Sequence, residues 1–149
     1  MPLRANGHVI VVQKFASASG VKRGDWIAYN LSDASNSGDD LWIHFRAGVG
    51  FGPVLATAGN LVEFSTNAFF VNGVSQPLLP YMPATGELTV PENDWFIWPS
   101  YSISGYGNIN RQGNESRISS MMAGLATVPE SQFIGKPFKR WFWRKQILQ

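Results

Sequence analysis

Short runs of β-branched and aromatic residues, each closed by turn-forming residues, recur along the whole chain and leave little room for a helical fold. Residues 9–12, 26–30, 41–45, 61–64, 69–71, 95–98 and 141–143 read as strands, and Gly and Pro stand between them. Many short strands with such punctuation imply a sandwich or a coiled antiparallel barrel. Asn72-Gly73 marks a tight hairpin turn, because both residue types tolerate positive φ. Residues 31–40 read as a polar loop. Residues 77–83 read as an extended connection that exposes Tyr81 and Met82 between prolines. No internal repeat is present.

One segment has helical spacing. Ile118, Met121, Met122 and Leu125 fall at i, i+3, i+4 and i+7, while Asn114 suits an N-cap and Glu115 favours the positive end of a helix dipole. A short helix over residues 115–125 follows. The expected fold class is therefore mainly β, a coiled antiparallel domain with one short helix.

Length and composition set further limits. The 149 residues fit one domain spanning 1–149, and 44% hydrophobic with 15% charged residues excludes a disordered or membrane-filling chain. No stretch approaches the roughly 20 apolar residues of a membrane helix, and no signal peptide is expected. Without cysteine there is no disulfide, no thiolate nucleophile and no zinc-thiolate site. Two separated histidines do not suggest a metal centre, and no cofactor is implied.

An ordered set of fragments adds a second kind of information. Arg23-Gly24-Asp25-Trp26-Ile27-Ala28-Tyr29 comes first, then Gly52-Pro53-Val54-Leu55-Ala56-Thr57-Ala58-Gly59-Asn60-Leu61-Val62-Glu63 and Val71-Asn72-Gly73. Val90-Pro91-Glu92 with the aromatic run of residues 95–98 follows, and Val128-Pro129-Glu130 with Ile134-Gly135-Lys136 closes the series. In order and spacing these resemble the motifs of type I signal peptidases, over roughly residues 9–143. The resemblance implies the β core of that family, a serine endopeptidase ancestry, an extended peptide or protein segment as partner, and the extracytoplasmic face of a bacterial membrane.

The departures fall on the catalytic positions. The family places its nucleophilic serine just before a run that Met1-Pro2-Leu3 resembles, and no serine precedes it here. Its general base is a lysine where this chain has Gly52-Pro53. Trp98-Pro99-Ser100-Tyr101 stands near the place of the family's Gly-Asp-Asn-Arg box. A serine hydroxyl needs a neighbour that accepts its proton, and a lysine does so only when burial lowers its pKa. Arginine cannot serve, which excludes Arg46, because a guanidinium is not a proton acceptor at working pH. An imidazole can accept a proton near neutral pH, which makes His44 a candidate base, although Trp42, His44 and Arg46 alternate with Leu41, Ile43 and Phe45 as an outward strand face does. Asn114-Glu115-Ser116-Arg117 resembles the Asp-Ser-Arg tail of the family box, which makes Ser116 a second candidate. Helix capping explains the same residues without a missing partner.

The carboxy-terminal segment, residues 133–149, gathers five of twelve basic residues, Lys136, Lys139, Arg140, Arg144 and Lys145, among Phe133, Phe138, Trp141, Phe142 and Trp143. Lys139, Arg140, Trp141, Trp143, Arg144 and Lys145 suit an anionic membrane surface. A net charge of only +2 argues against a nucleic-acid binder, and a solvated terminal strand explains the same residues blandly. Tyr101 and Tyr106, in the loop of residues 99–113, suit either binding or loop packing. Two expectations remain. One is a catalytically incomplete signal-peptidase-like domain that binds an extended segment at a membrane surface. The other is the soluble portion of an active, membrane-anchored serine endopeptidase whose nucleophile and anchor lie upstream of Met1.

Overall fold

The computed structural model describes residues 2–5, 8–14, 17–37, 42–99, 114–141 and 144–147. Its elements, in chain order, begin with β1 (Pro2–Ala5), β2 (His8–Gln13), β3 (Trp26–Leu31), β4 (Ala34–Ser37) and β5 (Trp42–Phe45). They continue with β6 (Gly48–Pro53), β7 (Ala56–Thr57), β8 (Leu61–Phe64), β9 (Ala68–Val71), β10 (Val74–Pro77), β11 (Gly86–Thr89) and β12 (Asp94–Phe96). The helix α1 (Asn114–Leu125) precedes β13 (Thr127–Pro129), β14 (Phe133–Trp141) and β15 (Arg144–Ile147). The protein is mainly β, with antiparallel sheets and one α-helix among the described residues. That helix is not long and apolar enough to cross a membrane.

The largest sheet runs β1-β2-β14-β3-β6, with β15 also paired to β14. A second runs β10-β9-β8-β11, a third β13-β12-β7, and β4 pairs with β5. The turn at Asn72-Gly73 behaves as its chemistry demands. Both residues take positive φ, 50° and 76°, and Val71 pairs with Val74 across them. Asn72 also accepts a bond from the Leu61 amide through its side chain at 2.8 Å, which ties the turn to the neighbouring strand.

The interior falls into two apolar clusters that β12 and the residues after it connect. Phe96 and Trp98 join one cluster with Phe64, Phe69, Val62, Val71 and the helix residues Ile118 and Met122. Trp95 and Ile97 join the other, with Ile27, Tyr29, Val54 and Val128. Alternation along an extended segment sends successive side chains to opposite sides. Both sides are covered here, so the run of residues 95–98 is apolar throughout instead of alternating with polar residues. Ring contacts hold the clusters internally, with Phe64 6.2 Å from Phe96 and from Trp98, and Trp95 edge-on to Phe133 at 5.7 Å.

Several expectations need correction. Residues 31–40 are not simply a loop, because Ala34–Ser37 forms β4 against β5. Pairing overrides the weak strand propensity of Ser and Asn there. The strand expected at 95–98 pairs only over Asp94–Phe96, and the Ile97 amide instead donates to Ala126 at 2.8 Å. Residues 77–83 are not extended throughout, since the Met82 amide donates to Leu79 and closes a turn in which Tyr81 has φ 63°. That turn exposes Tyr81 but buries Met82 to 8% exposure against the first cluster. The helix starts at Asn114, one residue earlier than expected. Its Ile118 and Met122 side is buried, and Ser116, Ser120 and Gly124 form the exposed side. Leu41, Trp143 and residues 100–113, with Tyr101 and Tyr106, lie outside the described residues.

β14 organises the largest sheet. Phe133 and Gly135 pair with Tyr29 and Ala28 of β3, while the stretch from Lys136 to Lys139 pairs with β2 from Gln13 to Ile10. The register shifts at Phe133 and Gly135, and there the β14 backbone comes so close to β2 that a Cβ on Gly135 would lie 2.2 Å from the Gln13 carbonyl oxygen. Gly135→Ala is expected to destabilise the fold by about 2 kcal/mol or more in a urea melt, because two backbones would have to separate. Gly20→Ala, where added bulk meets nothing within 4 Å, should change stability by less than about 0.5 kcal/mol.

Candidate functional site

Three of the fragments quoted above meet at the start of β3, through Gly24-Asp25, Val54 and Lys136. Gly24 adopts φ 90°, a conformation suited to glycine, and the turn before β3 sets Asp25 against two donors. The Asp25 carboxylate accepts from the Lys22 amide at 3.2 Å and from Lys136 Nζ at 2.9 Å. The main chain is fixed as well. Gly24 donates to the Val54 carbonyl at 2.8 Å, and Val54 donates to the Asp25 carbonyl at 2.9 Å. Burial acts to raise the Asp25 pKa, but the hydrogen bonds from Lys136 and Lys22, with their positive charges, outweigh it and hold it below the ordinary carboxylate value. Lys136 is thereby committed as a donor to Asp25, and its ion pair joins the first and last matched fragments.

Position 52, which the resemblance assigns to the general base, lies on β6. Its inward direction is revealing. Gly52 is buried opposite Ile27 of β3, and a Cβ there would sit 3.0 Å from Ile97 Cγ2. Two residues earlier a Cβ on Gly50 would lie 2.7 Å from the Tyr29 ring. The inward side of β6 at these two positions therefore carries no side chain, and Tyr29 and Ile97 of the second cluster occupy the space.

The other side of β6 forms an edge. β6 ends the sheet order, so among the described residues β3 is the strand that pairs with it. Ladder bonds alternate along an antiparallel pair, and Val54 donates toward Asp25 in the continuing register. Gly48, Gly50 and Gly52 therefore face β3 with their amides and carbonyls, and Val49 and Phe51 turn theirs outward. Pro53 agrees with this phase, because proline is tolerated in a strand where its nitrogen faces away from the partner. Phe51, half-buried, stacks obliquely on Trp26 with ring centroids 6.3 Å apart. The result is a glycine-rich edge, flanked by aromatic side chains, to which no further strand among the described residues pairs, a surface that can accept an extended segment by strand addition.

The remaining candidates are dispersed. His44, exposed on β5, has Nε2 3.7 Å from Asp33 Oδ1, and Asp33 also accepts from the Ala47 amide. Phe45 beside it is buried and Arg46 exposed, as the alternation implied. Ser116 sits on the exposed side of the first turn of α1. Lys139, Arg140 and Trp141 end β14, and Arg144 and Lys145 begin β15, with Arg140 opposite Lys145 and Trp141 opposite Arg144. The hairpin thus brings five of these six residues together. The Asp25–Lys136 pair and the β6 edge were not foreseen. A glycine at every second position from 48 to 52 was the available signal for the edge. No protein-family model matches the chain, and no curated protein matches it.

The Asp25 interaction has a definite pH signature. Its carboxylate ionises below the ordinary value of 3.8 in the folded chain, so its contribution is complete above about pH 4 and disappears as pH falls through the lowered pKa. Lys136→Met should destabilise the protein by about 0.5–1 kcal/mol at neutral pH, a small amount because the pair is partly exposed and screened. In thermal melts the difference from wild type should shrink steadily below about pH 4.

Proposed function

We propose that this chain is a signal-peptidase-like β domain that is catalytically incomplete and works as an extracytoplasmic module, taking up an extended peptide or protein segment at a membrane surface. The observation that carries the reading is the occupancy around position 52. A buried lysine there would have the lowered pKa that a general base needs. The chain has glycine instead, with Ile97 3.0 Å from where a side chain would begin. Neither Gly52 nor Pro53 can accept a proton from a serine.

The order of the matched fragments and the β architecture support the same reading, and the β6 edge supplies its binding mode. An extended segment adding to β6 would exchange main-chain hydrogen bonds with Val49 and Phe51. Trp26 and Phe51 would supply apolar contact for alternate side chains. The second reading is an active serine endopeptidase with its nucleophile upstream of Met1. The observation in its favour is Asp33 beside His44, since a carboxylate near an imidazole helps orient a base.

Two measurements separate these readings. The chain is expected neither to cleave signal-peptide-like substrates nor to be acylated by serine-directed reagents, and turnover abolished by His44→Gln would establish the second reading instead. In titrations with an extended apolar peptide, Val49→Pro should weaken binding about fivefold, the value of one main-chain hydrogen bond of about 1 kcal/mol. It leaves the β3 ladder intact, because the amide it removes faces outward. Unchanged peptide affinity in that variant would rule out β6 as the binding edge.

A further inference from the structure

The β6 edge is short, and the chemistry at each end closes it. Val49 and Phe51 face away from β3 and offer their amides and carbonyls. At one end the Ala47 amide already donates to Asp33, and at the other Pro53 has no amide hydrogen to give. A partner strand of about five residues, opposite Val49 to Pro53, therefore uses every group the edge offers.

Charge is distributed unevenly around this edge. Residues 48–58 contain no charged residue, and β3 contains none either. Beyond the Gly48 end, Asp33 and Arg46 are both exposed and opposite in sign, with His44 Nε2 3.7 Å from Asp33 Oδ1. Beyond the Pro53 end stands the turn that leads into β3. It holds Lys22 and Arg23, both exposed, and Asp25, which Lys136 binds at 2.9 Å. The turn is pinned to the end of β6, because Gly24 donates to Val54 at 2.8 Å and Val54 donates to Asp25 at 2.9 Å. Asp25 is the one acidic residue in 17–31, and Lys136 balances it. Lys22 and Arg23 therefore leave that end of the edge with net positive charge.

We propose that the segment taken up on β6 is an uncharged stretch of about five residues with an acidic flank, and that this flank lies at the Pro53 end against Lys22 and Arg23. This rests on the strand-addition part of the proposed function and adds the chemistry and placement of the partner to it. Charge complementarity selects an acidic flank at the Pro53 end and selects nothing at the Gly48 end, where the two signs offset each other. The middle of the segment is uncharged, because Trp26 and Phe51 present apolar rings and β3 and β6 hold no ionic partner. Distance limits which cations count. A strand added to β6 would lie two strand spacings from β3, about 10 Å, within reach of a long basic side chain from the turn. Lys14, which follows β2, would lie four spacings away in the strand order, about 19 Å, roughly twice the screening length at physiological salt.

The test is titration of the full chain with three peptides that share one uncharged, alternately apolar core of about five residues. One is neutral, one carries two glutamates on its amino side, and one carries them on its carboxy side. The neutral peptide is expected to bind, and one of the acidic peptides should bind about threefold tighter than it at low salt. That gain should vanish at high salt while the neutral peptide keeps its affinity. The double variant Lys22→Gln, Arg23→Gln should abolish the gain without changing affinity for the neutral peptide, whereas Lys14→Gln and Arg46→Gln should leave the gain in place. Unchanged melting temperatures would confirm that the folds are intact. Equal gains from both flanks, no gain from either, or a gain that survives the double variant would overturn the proposal while strand addition stands. If the neutral peptide fails to bind, or Val49→Pro leaves its affinity unchanged, strand addition to β6 itself fails and the proposal with it.

Discussion

The largest sheet depends on one strand changing partners where it has no side chain. β14 pairs with β3 up to Gly135 and with β2 from Lys136 onward, and the change requires the two backbones to pass at a distance that no Cβ permits. A bulge of this kind leaves an irregularity in the ladder but redirects the strand. The Asp25–Lys136 pair stands immediately beyond it and links the turn before β3 to β14. Backbone contact makes the crossing and the ion pair reinforces it. The order matters energetically, since a partly exposed pair contributes little alone, whereas a misplaced backbone would disturb two ladders at once.

A second segment, apolar on both sides, lets one short chain support two apolar clusters. The segment from Trp95 to Trp98 separates them, with alternate side chains in each. Every one of those four residues is buried. Truncating Phe96 would therefore open the cluster that holds α1, and truncating Trp95 would open the one beneath β3 and β6. The clusters share a segment without sharing its side chains. β6 inherits its shape from the second of them, because the Tyr29 ring occupies the place of a side chain at position 50 and Ile97 crowds position 52.

Local chemistry was legible in the sequence, and long-range pairing was not. The Asn72-Gly73 turn, the strand Leu61–Phe64 and the helical face of Ile118 and Met122 follow from residue types at fixed short spacing, and the structure has each of them. β4 was hidden because its Ala-Ser-Asn-Ser sequence has no strand character of its own and depends on β5. β6 was hidden because alternate glycines read as turn chemistry until a neighbouring ring is placed against them. Met82 looked exposed between its prolines, yet a turn at Leu79 carries it back to the first cluster. The basic residues of the carboxy-terminal segment were legible individually. The pairing of that segment with β2 was not, because no periodicity connects residues separated by nearly the whole chain.

Electrostatics also constrains how the two proposed surfaces share the molecule. β3 adjoins β14 in the largest sheet, and β6 lies beyond β3 at its margin. A segment adding to β6 would extend that sheet by one strand, at the margin opposite β1 in the strand order. Uptake by main-chain hydrogen bonding does not depend on charge, whereas contact between basic residues and an anionic bilayer would. Salt should therefore weaken contact with a bilayer while leaving strand addition nearly unaffected. On the proposed reading, these are two separable interactions built on one sheet.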